Sequence, residues 1–379
     1  MSPTSSRVDI DVLSLEELTS SDLAAWESYR EDQSVYEAPF FSTRFAQAVG
    51  RARNDVWVAR IEHQDVGPAF LPFHCRRVGF GRVVGVPVGR FLNDAHYVIG
   101  PPELEIDWTA ILKAMGVVAF DCHALVGGTD HLIDQHQLQT VKAYRADFNG
   151  DSPAFLELLQ QQHRTISKQG QKTRKLSREV GSLRLEVDCR CPNVLQQTIQ
   201  WKRDQYQRTH ILDLFAPEWT RKLIDELYSD PLKDTDGSTS FADSPMRGLL
   251  SVLWAGDRVA AAHVGMVERG RLHYWFPTYD LGLAKYSPGT ALFVELVRAA
   301  TEHAIDVIDM GYGEQPYKQK QTATISTVAA GTITNSPVHR IAFQSQARAI
   351  DWLKRIPMKE TAKAAWRTIH PNAGMRKLN

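Results

Sequence analysis

Between Arg247 and Asp309 the hydrophobic pattern changes period, and that change limits the fold more than any other feature of the chain. Residues 247–255 and 258–268 read as strands meeting at Gly256-Asp257, a favoured two-residue hairpin turn. A second turn at Glu268-Arg269-Gly270 leads to a third strand, 271–277. The spacing then becomes helical: Leu292, Phe293, Leu296, Val297 and Ala300 fall on one face of a helix over 290–304. A strand at 305–310 follows. Ser287 is expected to cap the helix, and Pro288 suits its first turn, where no amide needs an intrahelical partner. The amides of Gly289, Thr290 and Ala291 are then expected to be free at the positive end of the helix dipole, a place for a phosphate or pyrophosphate.

At 379 residues the chain has room for two domains of ordinary size. Its first half reads as a strand at 8–13, helices at 15–30 and 42–52, and strands at 55–62, 66–75 and near 95–99. A helix at 106–115 and strands at 117–124 and 138–147 complete it. The second half repeats the rhythm with a strand at 182–188 and helices at 192–206 and 215–229. The meander, helix and strand above come next, then β-rich residues 322–334. The expected fold is α/β of the α+β kind: two tandem units, each a mixed, mostly antiparallel sheet flanked by helices. The expected divisions are 1–150, a basic connecting helix at 151–180, and 181–379. Residues 230–247 read as a polar surface loop. Residues 344–370 read as a basic amphipathic helix with Ala349, Trp352, Leu353 and Ile356 on one face.

Lys plus Arg and Asp plus Glu each total 44, so no overall charge draws the chain to nucleic acid or an anionic membrane. No run approaches the roughly 18 apolar residues needed to span a bilayer. Met1-Ser2-Pro3-Thr4-Ser5-Ser6-Arg7 lacks the apolar core of a signal peptide, and a cytoplasmic protein is expected. Cys75, Cys122, Cys189 and Cys191 are too scattered for a disulfide scaffold, and Cys189-Arg190-Cys191 is a poor metal spacing. Reduced thiols and no metal are expected. The stretch 152–179 is locally basic, with Arg164, Lys168, Lys172 and Lys175 on one face. It is either a solvated connector or, over 164–178, a patch for an anionic partner: a sugar-nucleotide, a polyprenyl-phosphate head group, or a membrane surface touched peripherally.

Several words of the sequence are similar to one family. They are Ala261-Ala262-His263, Leu272-His273-Tyr274-Trp275-Phe276-Pro277-Thr278-Tyr279-Asp280, Tyr286-Ser287-Pro288-Gly289 and Gly311-Tyr312-Gly313-Glu314-Gln315-Pro316-Tyr317-Lys318. They resemble the bacterial acetyltransferases associated with cellulose and other exopolysaccharide biosynthesis, a branch of the GNAT superfamily related to FemAB-type aminoacyl and acyl transferases. In the first half Ala38-Pro39-Phe40-Phe41-Ser42, Asp55-Val56-Trp57-Val58-Ala59, Phe70-Leu71-Pro72-Phe73 and Leu92-Asn93-Asp94-Ala95-His96 extend the resemblance. It implies two tandem GNAT units and acyl transfer from acetyl-CoA or a longer acyl-CoA. The acceptor it implies is an amine or hydroxyl on a sugar or glycan precursor, attacking the thioester directly. It also implies that Ser287, Pro288, Gly289, Thr290 and Ala291, with Trp275, hold the acyl donor. A backbone amide of strand 271–277 would polarise its carbonyl. Nothing in the sequence resembles a nucleophile elbow or a Cys-His site.

Proton transfer has three candidates: Asp309, His263 or water. Asp309 ends the strand after the helix, where it can accept a proton, cap the next turn or pair with Lys318. His263 is a base by its ordinary titration near neutral pH, or a satisfied core residue. On the resemblance, Tyr317 would protonate the departing thiolate and Lys318 would hold a phosphate as a point charge. Lys202 and Gln205 share a helix face and, with Tyr279 and Asp280, are expected to meet the acceptor in a groove between the units. Trp275 and Tyr279 suit stacking on a sugar or on the pantetheine arm, or aromatic core packing. Asp94 and His96 are expected on the acceptor side, because Gly100-Pro101-Pro102-Glu103 stands where a second phosphate turn would be. Two other functions stay open: a FemAB-like transferase using charged tRNA, and a catalytically inactive unit that scaffolds a polysaccharide synthase. Overall neutrality gives no general affinity for RNA.

Overall fold

The computed structural model describes residues 8–127, 129–229, 240–337 and 340–341. The expected helix at 344–370, and residues 230–239 of the expected loop, lie outside the described residues. The strands are β1 Val8–Ser14, β2 Val56–His63, β3 Gly67–Arg77, β4 Val83–Pro87, β5 Ala119–Leu125, β6 Gln139–Asp147, β7 Leu183–Glu186, β8 Arg247–Ala255, β9 Arg258–Glu268, β10 Arg271–Tyr279, β11 Val307–Tyr312 and β12 Thr324–Ile333. The helices are α1 Ser20–Asp32, α2 Thr43–Ala52, α3 Trp108–Ala114, α4 Asp130–His136, α5 Ser152–Gln162, α6 Arg164–Ser167, α7 Gln169–Glu179, α8 Pro192–Arg208, α9 Glu218–Ser229, α10 Pro288–Ala299 and α11 Lys318–Gln321. No described helix is long and apolar enough to cross a membrane.

The chain forms two compact units that interleave along the sequence, where the sequence reading divided it at 150 and 180. Unit 1 takes the chain up to Tyr36, Arg53–Thr140 and the chain from Val328; unit 2 takes Glu37–Ala52 and Val141–Thr327. The strand order of unit 1 is β1-β2-β3-β4-β5-β12, with β4 and β5 parallel and the remaining pairs antiparallel. The order in unit 2 is β6-β11-β10-β9-β8-β7, and again one pair, β10 and β11, is parallel. Each unit is thus a mixed, mostly antiparallel sheet flanked by helices, as expected, and both share the order meander then parallel strand.

The unit 2 meander has the bounds its turns dictate. Gly256 takes a φ of +61°, and Arg269 and Gly270 take +45° and +72°, the left-handed pair that a tight hairpin needs. In α10 the expected face is the buried one: Leu292, Phe293, Leu296, Val297 and Ala300 have no exposed surface. The four larger side chains each contribute about 2 kcal/mol of apolar burial, and Ala300 less.

Several elements differ from expectation. Residues 95–99 form only isolated bridges, Phe70 with Ile99 and His96 with Leu125. The strand beside β3 is β4, whose Gly85 lets the Phe120 ring and Met115 close over the sheet: a Cβ there would lie 2.8 Å from Met115 and 2.9 Å from Phe120. The stretch 152–179 is broken at His163 and Lys168 into α5, α6 and α7. The break gives α7 its own direction, and Leu176 joins a small cluster with Ala255, Ala260, Leu283 and Tyr286.

The β9–β10 hairpin packs closely enough to test. A Cβ on Gly265 would come within 2.1 Å of the His273 carbonyl oxygen and 2.3 Å of His263 Nε2. Gly265→Ala should cost about 3 kcal/mol in urea unfolding, because backbone cannot yield as a flexible side chain would. A loss below about 1 kcal/mol would show that the strands do not approach this closely.

Candidate active site

The parallel pairing of β10 and β11 covers only Arg271–Val307, Leu272–Ile308 and His273–Asp309. Beyond it both strands carry a bulge at the same level. On β10, His273 faces Met266 while Phe276 faces Val264, so β10 takes one residue more than β9. On β11, Asp309 faces Arg145 while Tyr312 faces Ala143, again one residue more than its neighbour. Bulges bend strands, and here they open a fork between two parallel strands. Asp309 supports one bend: its Oδ1 accepts the Gly311 N–H at 2.7 Å, with Gly311 at φ +66°. His273 Nδ1 lies 3.9 Å from the same carboxylate. Phe40 packs edge-on against His273 and Trp275, at 4.7 and 5.7 Å between ring centres. The segment around Phe40 belongs to unit 2, and its Glu37 pairs with Arg271. The sequence reading left Phe40 and His273 without a role, since only the fold brings residues 37–52 to β10.

Lysines hold both lips of the fork. Lys202 on α8 donates to the Pro277 carbonyl at 3.0 Å, and Lys318 on α11 donates to the Tyr312 carbonyl at 2.6 Å. Lys202 is half-buried over the Tyr206 ring. Burial, and then the nearby Lys318 ammonium, bring its pKa down to about 8. Tyr317 packs beside Lys318 against the unit 2 core.

The start of α10 differs in detail from expectation. Ser287 is left-handed, at φ +54° and ψ +54°, and its side chain caps nothing. Its Oγ instead accepts from Lys172 Nζ at 2.8 Å. The Thr290 and Ala291 amides are not free, because both donate to the Ser287 carbonyl, at 3.0 and 3.1 Å. Gly289 keeps the outward position at this end, and its face is open enough that a Cβ would make only ordinary contact with Tyr279, at 3.4 Å. The basic helix α7 lies along this turn: Gln169 Nε2 donates to the Tyr286 carbonyl at 3.2 Å, and the Tyr286 hydroxyl bonds Glu179 at 2.5 Å. Lys168, Lys172 and Lys175 remain exposed.

Beside the turn, a cleft of about 190 Å³ is lined by Trp201, Gln205, Arg208, Thr278, Tyr279 and Asp280, among others. It gathers three of the expected acceptor residues. Asp280 is committed to structure, pairing with Arg258 at 2.6 Å and capping the Gly282 amide at 2.8 Å. Trp275 is half-buried and stacked on Phe276 at 4.8 Å. Larger clefts lie between α2 and α9, about 470 Å³, and between α8 and α9, about 440 Å³. Neither touches β10, β11 or α10, so the fork, not cleft size, decides the assignment.

His263 is not exposed at all and stacks on Tyr274 at 4.2 Å. Burial pushes its pKa down to about 3, so it is a core residue and a poor proton acceptor at neutral pH. In unit 1, His96 is also buried, and its Nε2 accepts from the His123 amide at 3.3 Å. Its pKa falls well below the usual histidine value through burial and the neighbouring His123. Asp94, half-buried, lies within electrostatic reach of His123. All four cysteines are free; burial raises Cys122 to about 12 and Cys189 to about 11, values that leave them protonated. Among the described residues no group of His, Cys, Asp and Glu is arranged to hold a metal.

Residues 161–319 match the model of the acetyltransferase (GNAT) domain, a span that takes in α7, the meander, the fork and α10. That match supports acyl transfer as the class of chemistry. Among solved structures the chain is similar to FemX, at 11% identity over 79% of this chain and 93% of that one, with a TM-score of 0.51, which shows a shared fold. It is also similar to L-PGS from Bacillus licheniformis, at 13% identity over 86% and 96% of the two chains with a TM-score of 0.48. A tandem GNAT protein from the clavulanic acid biosynthesis pathway aligns at 7% identity over 87% and 99%, with a TM-score of 0.46. No curated protein matches the sequence.

The state of His263 is open to direct measurement. The fold takes up no proton there until about pH 3, whereas the unfolded chain takes one near the ordinary histidine value of about 6.5. Between those values the unfolded state binds more protons, so this residue's contribution to stability is present above about pH 6.5 and is lost as pH falls. In a histidine NMR titration its ring signals should hold their neutral positions from about pH 8 to about pH 5. A midpoint near 6.5 would return His263 to the candidate bases.

Proposed function

We propose that the chain transfers an acyl group from an acyl-CoA thioester to an amine or hydroxyl of a sugar or glycan precursor, in exopolysaccharide or envelope biosynthesis. One observation carries the reading: β10 and β11 part beyond His273 and Asp309, next to the start of α10. An extended pantetheine arm suits such a fork, since it can pair with strand-edge groups that have lost their sheet neighbour. Its pyrophosphate would lie at the Gly289 amide and the Lys172 ammonium, at the positive end of α10. The acyl carbonyl would meet a β10 amide near the bulge at Tyr274 and Trp275, and that amide stabilises the negative charge growing on oxygen. Asp309 and Tyr317 lie along the β11 side; in this reading Asp309 orients the acceptor and Tyr317 returns a proton to the thiolate. Lys202 and Lys318 fix the two lips.

The sugar acceptor rests on the resemblance of residues 272–280 and 311–318 to the exopolysaccharide-associated family. The flat, partly open side chains of Trp201 and Tyr279 in the cleft beside the turn suit a sugar ring. A second reading, aminoacyl transfer from charged tRNA, is favoured by one feature: the exposed basic face of α7 beside the same turn offers charge for more phosphates than one pyrophosphate holds.

Calorimetry with acetyl-CoA and longer acyl-CoAs tests the first reading. Gly289→Glu brings bulk and negative charge to the phosphate position and should weaken binding at least about 100-fold. No binding of any acyl-CoA by the wild type would pass the reading to charged tRNA. Changing Lys168, Lys172 and Lys175 together to Gln should weaken the acyl donor about tenfold, less so at high salt, and leave the acceptor KM unchanged. A shift in acceptor KM alone would return the patch to the acceptor side.

A further inference from the structure

Buried side chains with like charges are costly, and Lys202 is set beside another lysine. Its ammonium meets the Pro277 carbonyl and the face of Tyr206. The charged and titratable groups around it can be named element by element. From α11 comes the Lys318 ammonium. From β9 comes His263, which interacts with Lys202 but stays neutral through burial. On α8 itself, Asp204 accepts from Gln200 at 2.7 Å, and Arg203 is paired with Asp213 at 2.8 Å. No carboxylate among the described residues pairs with Lys202. The Pro277 carbonyl and the Tyr206 ring favour the ammonium, while burial and the positive Lys318 neighbour work against it.

Its place matters as much as its charge. Pro277 follows the β10 bulge directly, and His263, within electrostatic reach, stacks on Tyr274 at that bulge. Lys202 is therefore level with the part of the fork where, on the reading above, the acyl carbonyl lies. Asp309 is farther in, as one of the last paired residues, with its Oδ1 accepting the Gly311 N–H.

We propose that Lys202 is the general base of the transfer, its neutral Nζ taking the proton of the attacking amine or hydroxyl at the mouth of the fork. This rests on the acyl-CoA reading. As the acceptor nitrogen or oxygen bonds to the acyl carbon, its proton passes to the Nζ lone pair. The C–S bond breaks with its electron pair on sulfur, and the thiolate takes up a proton from solvent, directly or through Tyr317, which solvent then reprotonates. The lysine ammonium then gives its proton to solvent, which restores the neutral base. The nearby Lys318 ammonium keeps that form accessible near neutral pH, where an ordinary lysine is protonated.

The test uses the full chain, acetyl-CoA, and hydroxylamine as the probe acceptor, which is uncharged from about pH 7 to about pH 9.5 and so adds no titration of its own. Acetyl-CoA binding is measured alongside by calorimetry. In the wild type, the rate of acetyl hydroxamate formation at saturating acetyl-CoA should rise with pH and level off above about 8. Lys202→Arg, which keeps the charge and the hydrogen bond but cannot deprotonate, should lose about 100-fold in rate and lose the inflection, with acetyl-CoA affinity within about twofold. Lys202→Gln should behave alike and serves if the arginine variant melts earlier. An inflection that survives both substitutions would overturn the proposal. So would a variant with a normal saturated rate and weaker acetyl-CoA binding, which would make Lys202 an anion-binding residue. A wild type that fails to bind acetyl-CoA would instead bring down the acyl-CoA reading, and this proposal with it.

Discussion

The site depends on the early end of one strand pairing. After His273 and Asp309, β10 and β11 no longer bond to each other, because each takes in an extra residue against its other neighbour. The parting creates a difficulty as well as an opening, since strand groups without sheet partners must be satisfied some other way. Lys202 takes the Pro277 carbonyl and Lys318 takes the Tyr312 carbonyl. The Gly313 amide finds the Lys142 carbonyl at 2.9 Å on β6. The groups that stabilise the fork are thereby the ones that line it. Two long lysine side chains end at its mouth, each donating to a strand carbonyl there.

The turn before α10 shows how local strain and a distant helix act together. Ser287 adopts a left-handed conformation that a non-glycine residue takes at some cost. In exchange, its carbonyl turns inward to receive two amides of the first helical turn, and its hydroxyl turns outward to Lys172. An expected row of free amides becomes a smaller amide site with a lysine beside it. The lysine belongs to α7, whose basic residues are spaced along a helix that lies against the turn, so their field falls on that side.

The legible parts of the sequence were those set by short-range rules. The bounds of β8 and β9 follow from Gly256 and the Arg269-Gly270 turn, and the buried face of α10 follows from its spacing. Illegible parts depended on partners far away in the chain. Glu37 and Phe40 reach β10 in unit 2 although more than two hundred residues separate Phe40 from His273. β4 carries Gly85 at its centre, where Phe120 and Met115 leave no room for a Cβ, and that glycine weakened the strand pattern. Ser287 offered the side chain of a helix cap, but its backbone is left-handed and its hydroxyl accepts from Lys172 instead. Of the candidate site, the word 311–318 and the residues Lys202, Gln205 and Tyr279 were visible as chemistry. Gln205 and Tyr279 were expected together, and the cleft they line lies within unit 2.

His263 and Lys202 show why residue type alone could not settle the proton acceptor. Both are bases withdrawn from water next to the same strand, and burial disfavours the charged form of each. The result depends on where each starts. A histidine begins near neutrality, so the same direction of shift carries it to about 3 and leaves it unable to hold a proton at any working pH. A lysine begins far above neutrality, so the shift brings it to about 8, close to the range in which a base is most effective. From the sequence the candidates are Asp309, His263 or water, and the histidine is among them because its unperturbed titration matches the task. On the proposal made above, that difference in starting point is what makes Lys202, and not the histidine, the base whose neutral form is within reach.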